Sequence, residues 1–182
     1  MAASSSNSAI WLAFVRAIIE DTARGRDAKN AGAVPNESCA HGGVFVTLHQ
    51  HGRLRGCMGT LDPSQPLADA VRQAAVCAAS HDPRFPRVMP EELRELRLEI
   101  SILSAPEPMG SLDDLEIGRH GIIVQRGANR GLFLPQVATE HCFDKETFLN
   151  RCCTEKAGLP PGAWREPDTE VLLFTAEVMR EA

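Results

Sequence analysis

A chain of 182 residues, 43% hydrophobic and 24% charged, has enough material for an ordinary hydrophobic core in one domain or two closely packed lobes. A net charge of −5, no basic run, no tyrosine and 5% aromatic residues argue against nucleic acid or an anionic membrane as the main partner. No apolar run approaches the about 18 residues that span a bilayer, and "MAASSSNSAIW" lacks the regions of a secretory signal, so a cytoplasmic location is expected.

In chain order, "SAIWLAFVRAIIEDTARG" puts Ile10, Trp11, Phe14, Val15, Ile18 and Ile19 on one stripe. That spacing predicts a helix with Ser8 as N-cap and Gly25 as stop, residues 1–7 being frayed. From Asp27 to Gly42, with "VPNES" inside, the chain reads as a loop. "GVFVTLH" alternates Val44, Val46 and Leu48 against Phe45, Thr47 and His49, a strand. The glycines and prolines of "QHGRLRGCMGTLDPSQP" predict a short strand entering a turn at Gly56–Cys57. Behind Pro66, "PLADAVRQAAVCAAS" carries Leu67, Ala70, Val71, Ala74 and Ala78 at helical spacing, with Cys77 expected in the core.

"HDPRFPRVMPEEL" reads as irregular chain held by Phe85, followed by the strand "LRLEISIL". There Leu96, Leu98, Ile100 and Ile102 share one face, and Arg97, Glu99 and Ser101 the other. "GIIVQR" and "RGLFLP" form a hairpin through "GAN". "FDKETFLNRCCTEKAGLPP" is a helix N-capped by Asp144, with Phe143 and Phe148 at staple spacing and Gly158 as its stop. In a last strand, "EVLLFTAEVM", Leu172, Phe174, Ala176 and Val178 turn inward. Helices and strands in this order predict an α+β fold with a mainly antiparallel or mixed sheet flanked by helices. Six cysteines, Cys39, Cys57, Cys77, Cys142, Cys152 and Cys153, are expected as free thiols without zinc spacing, so neither metal nor cofactor is expected.

"LRGCMGTL" at 54–61 resembles the "LRGC-(I/M)-G" signature of the AMMECR domain family, the "A" protein of the AmmeMemoRadiSam system. Collinear blocks extend the resemblance from about residue 8 to 178: "DPRFP" at 82–86, "LEISIL" at 98–103, "GRHGIIV" at 118–124, "LFLPQV" at 132–137 and "GLPPGAW" at 158–164. The resemblance implies one AMMECR-type domain over 1–182, with two lobes and a cleft. It also implies Memo-like and radical SAM partners, without a defined reaction.

Cys57 admits two readings. As a nucleophile it would use Gly56 and Gly59 at positive φ to form an anion-binding nest, with Arg53 or Arg55 nearby. As a small apolar residue it would only pack behind the glycines. His120, before a strand in "RHG", is the best base among the histidines, unless it merely caps the turn. Glu99 and Ser101 would line a pocket or meet solvent. Arg84 would bind an anion or pair with Asp82 or Glu99, and the Gln136 amide would fix a ligand or satisfy backbone. Cys57, His120, Glu99 and Arg84 are expected to converge on one cleft, with Arg55, Gly56, Gly59, Ser101 and Gln136 as ligand contacts. Two functions follow: a cytoplasmic adaptor presenting the "LRGCMG" loop, or a Cys57-dependent enzyme acting on a small anionic or carbonyl-bearing metabolite.

Overall fold

The computed structural model describes residues 5–33, 35 and 41–181, so Cys39, residues 1–4 and most of "VPNES" lie outside the described residues. The chain divides into two compact units, Met1–Leu103 with Glu177–Ala182, and Ser104–Ala176.

In the first unit α1 (Ser5–Ala23) buries Trp11, Phe14, Val15, Ile18 and Ile19. The expected stripe is right except for Ile10, which is 49% exposed because it stands at the margin of the buried arc. The helix starts three residues before Ser8, so residues 5–7 are helical rather than frayed. Its stop is Gly25, at φ +72°, a backbone conformation that glycine adopts without steric cost. Strand β1 (Gly43–Gln50) pairs antiparallel with β2 (Arg53–Thr60) on one side and β3 (Leu96–Leu103) on the other. Helix α2 (Leu67–Ser80) lies on this sheet, and both helices share one core with Val44, Val46, Leu48, Leu98 and Ile100.

The turn expected at Gly56–Cys57 is not there. It lies at His51–Gly52, where both residues have positive φ, and "RLRGCMGT" is one continuous strand with a bulge opposite Leu48 and His49. Glycines within the motif serve close packing. A Cβ at Gly56 would lie 2.3 Å from the Ala78 carbonyl oxygen of α2, and one at Gly59 would lie 2.2 Å from that of Val44. Cys77 is half-buried rather than core, since it stands on the flank of α2. The "HDPRFPRV" segment is anchored by buried Val88, whose N–H donates to Ala79, while Phe85 is half-buried.

The second unit is built on β4 (Glu107–Pro108), β5 (His120–Arg126), β6 (Asn129–Phe133) and the first part of β7 (Glu170–Arg180). β5 pairs antiparallel with β6 and β7, and the last residues of β7 belong to the first unit beside β3. The β5–β6 turn is the two-residue Gly127–Ala128, and Asn129 already pairs with Arg126. A short helix, α3 (Pro135–Glu140), follows the strand-like "LFLP" and was not anticipated. Helix α4 (Lys145–Arg151) is N-capped by Asp144, which accepts from the Thr147 N–H at 2.7 Å, and continues as a π-helical turn, Cys152–Ala157. Gly158 at φ +65° ends it, as expected. Phe148, Cys152 and Cys153 are fully buried in this unit's core. On β7 the inward residues are Val171, Leu173, Phe174 and Met179; Leu172, Ala176 and Val178 are only partly buried. A strand that leaves one core and enters another does not keep a single alternation.

The Gly56 contact yields a prediction. Gly56→Ala will lower stability by about 1–3 kcal/mol, the usual cost of overpacking, read as a lower urea midpoint at unchanged m-value.

Candidate functional site

Among the described residues β2 is the edge strand of its sheet, so one side of its backbone has no ladder partner there. At Cys57 two side chains fill that place. The Cys57 N–H donates to Asp82 Oδ2 at 2.8 Å, and the Cys57 carbonyl accepts from Arg84 Nη2 at 3.1 Å. Asp82 and Arg84 are themselves locked together, Nε to Oδ1 at 2.9 Å and Nη2 to Oδ2 at 2.7 Å, with the Arg84 N–H also donating to Oδ1 at 3.1 Å. The Asp82 side chain is 2% exposed and that of Arg84 54%, so a buried carboxylate holds a guanidinium that still faces solvent. Arg84's guanidinium, then the N–H groups of Cys57 and Arg84, hold the Asp82 carboxyl well below the usual carboxylate range, against burial, which pushes it up.

With its polar backbone groups turned to Asp82 and Arg84, Cys57 forms a non-hydrogen-bonded pair with Thr47, the closer of the two antiparallel pairings. The side chains therefore meet: Thr47 Oγ1 donates to Cys57 Sγ at 3.3 Å. Thr47 is opposite Glu99 in turn, so Cys57, Thr47 and Glu99 form one row across three strands, on the face away from the helices. Glu99 stands two strand steps from Cys57, about 10 Å at the backbone. Its carboxylate accepts from Arg180 Nε at the end of β7. The neighbouring row is Gly59, Phe45 and Ser101, with Ser101 1% exposed.

The expected ligand contacts are placed as follows. Arg55 is the bulge residue; its Nε and Nη2 are held by both Glu92 oxygens at 2.7 and 3.0 Å, and its other N–H groups by the carbonyls of Pro86 and Arg87. It fastens β2 to the following segment. Gly56 and Gly59 have extended backbone, so no nest forms through positive φ. His120 opens β5 in the second unit, where its Nδ1 accepts from the Glu116 N–H at 3.1 Å and closes the turn ahead of the strand. Gln136, also in the second unit, lies on α3 with its Oε1 buried and unpartnered among the described residues. Of the four groups expected to converge, Cys57 and Arg84 are in direct contact and Glu99 shares the Cys57 row. Sequence reasoning missed Asp82 and Thr47 as site residues. The hairpin turn alone did not signal Thr47: a turn at His51–Gly52 pairs Gln50 with Arg53 and would set Thr47 opposite Gly56, and the bulge at Arg55 shifts the register by one so that Thr47 faces Cys57.

Asp82 yields a pH prediction. Its folded pKa lies below the unfolded value, so its contribution is present above about pH 4 and is lost as pH falls below that. Urea unfolding from pH 7 to pH 3 will show a stability decline that Asp82→Asn shallows, with Asp82→Asn itself costing about 1–3 kcal/mol at pH 7.

Comparison with known proteins matches this chain to the AMMECR1 family model over residues 12–179. Protein TK0174 of Thermococcus kodakarensis is 46% identical over 157 residues, 81% of this chain and 76% of the relative. A protein of Methanothermobacter thermautotrophicus is 50% identical over 145 residues, 76% of this chain and 75% of the relative. Among solved structures, the crystal structure of the uncharacterized protein PH0010 from Pyrococcus horikoshii has a TM-score of 0.86 at 38% identity, covering 99% of this chain and 93% of that one. With the α+β architecture, these matches establish that the chain belongs to the AMMECR1 family.

Proposed function

We propose that this protein is a binding component that presents the "LRGCMG" strand and the polar row beside it to protein partners, among them Memo-like and radical SAM proteins, in the cytoplasm. One observation carries this reading: the Cys57 sulfur accepts from the Thr47 hydroxyl and has the Arg84 guanidinium beside it, while among the described residues no imidazole or carboxylate hydrogen-bonds to it. General-base activation needs such a group within about 3 Å or one water away. Glu99, the nearest carboxylate of its row, is committed to Arg180. Because Asp82 and Arg84 occupy the edge at Cys57, an added partner strand would find no free backbone there. Recognition then falls to side chains: the exposed guanidiniums of Arg84 and Arg180 at the two ends of the row and the partly buried Cys57 between them, with Thr47 buried beneath as their support.

The Thr47 hydroxyl donated to Cys57 Sγ supports a second reading, a Cys57-dependent enzyme acting on a small anionic or carbonyl-bearing metabolite. Titration calorimetry with purified Memo-like and radical SAM proteins separates the two. On the binding reading Cys57→Ser leaves affinity within about threefold, Glu99→Arg weakens it at least about tenfold, and the swap Glu99→Arg with Arg180→Glu restores part of the loss. Absence of binding to either protein, together with selective alkylation of Cys57 over the other thiols at neutral pH, would overturn the binding reading in favour of the enzyme.

A further inference from the structure

We infer that a cavity in the first unit, away from the Cys57 row, binds a small anionic molecule with an apolar body, such as a medium-chain carboxylate or an alkyl phosphate. The cavity, of about 620 Å³, lies between the end of α1, the 3-10 turn Ala28–Asn30 and the flank of α2. Its volume is that of a small-molecule site, about 300–1,000 Å³. Its surface is more apolar than polar, with Ala28, Val76 and Cys77 among its walls.

The charges around it do not balance. Arg26, Lys29, Arg72 and Arg87 line it against only Asp27 and Asp69, although the chain as a whole carries −5. Arg26 is paired with Asp21. Lys29, Arg72 and Arg87 make no ion pair among the described residues. Two of them are nevertheless held in place. Arg72 donates to the carbonyls of Ala28 and Ala31 and lies 4.8 Å from the Phe14 ring centroid, and Arg87 donates to the carbonyl of Thr22. Carbonyls fix a guanidinium without cancelling its charge, and each fork keeps further N–H groups for a carboxylate or phosphate. Asp27 accepts the Lys29 N–H at 2.9 Å, which fixes its carboxylate without cancelling its charge, and Asp69 also lines the cavity, so its four cations exceed its two acids. Fixed cations in excess over acids, above an apolar wall, match an anionic head on an apolar tail.

Cys77 supplies a reporter. Burial pushes its thiol up, so it stays a neutral part of the wall, and a bound tail would cover it. The test follows the peptide-resolved rate of Cys77 modification by N-ethylmaleimide at mildly alkaline pH, alongside titration calorimetry, with four probes: octanoate, n-octyl phosphate, inorganic phosphate and n-octanol. Octanoate or octyl phosphate should slow Cys77 at least about fivefold without slowing Cys142, and the better of the two identifies the head group. Octanol and inorganic phosphate should each bind at least about tenfold more weakly, and Lys29→Glu, at an exposed side chain, should cost about tenfold in affinity. The absence of both binding heat and Cys77 protection with either amphiphile would overturn the inference. So would equal protection by octanol, or an affinity indifferent to Lys29→Glu.

Discussion

The site depends on one buried carboxylate at the edge of a sheet. Asp82 accepts the N–H of Cys57 and is held by Arg84, which in turn donates to the Cys57 carbonyl. An edge strand that buried these groups unpaired would lose the worth of two hydrogen bonds, so the "DPR" turn acts as a short substitute for a missing strand. The substitution sets the side-chain geometry as well. Since the polar groups of Cys57 face outward, its pairing with Thr47 is the close one, and sulfur and hydroxyl meet.

Packing on the other face supports the same residues. Gly56 admits the C-terminal turn of α2 against β2, which places the segment after that helix, starting at His81, beside the strand it must cap. Arg55, with both Glu92 oxygens and two carbonyls, ties the same segment down one residue before Gly56. Arg16 reaches from α1 to the carbonyls of Leu93 and Leu96 and to Glu181, whose carboxylate also accepts the Leu98 N–H. The polar row is thus carried by three strands of which the two outer ones, β2 and β3, are fixed by charged clamps, while apolar burial supplies the bulk of the stability.

Much of the fold was legible because burial imposes periods of 3.6 and 2. The stripe Trp11–Ile19 and the inward sets Val44–Leu48 and Leu96–Ile102 are all seen in the structure, although Thr47 and Ser101 on the opposite face are buried too. Errors fell where a local signal has two physical meanings. Glycine marks both turns and close contacts, and at Gly56 and Gly59 contact is the reason, which displaced the turn by four residues or more. Helix α3 has only six residues, too few to display a period. The alternation of β7 was misread because the strand serves two cores in succession. At the site, the pairing of Arg84 with Asp82 was readable. The partnership of Asp82 with the Cys57 backbone was not, since a contact across 25 residues leaves no pattern in composition or spacing.

The central claim is that Asp82, standing in for a neighbouring strand, holds the Cys57 backbone. Amide hydrogen exchange resolved at Cys57 tests it most directly, because that N–H has a side chain, and not a ladder carbonyl, as its acceptor. The account predicts slow exchange at Cys57, comparable with the ladder amides of β1, and acceleration by at least about tenfold in Asp82→Ala while the β1 amides keep their protection. Fast exchange at Cys57 in the unaltered protein, or slow exchange that survives loss of the Asp82 carboxylate, would contradict it.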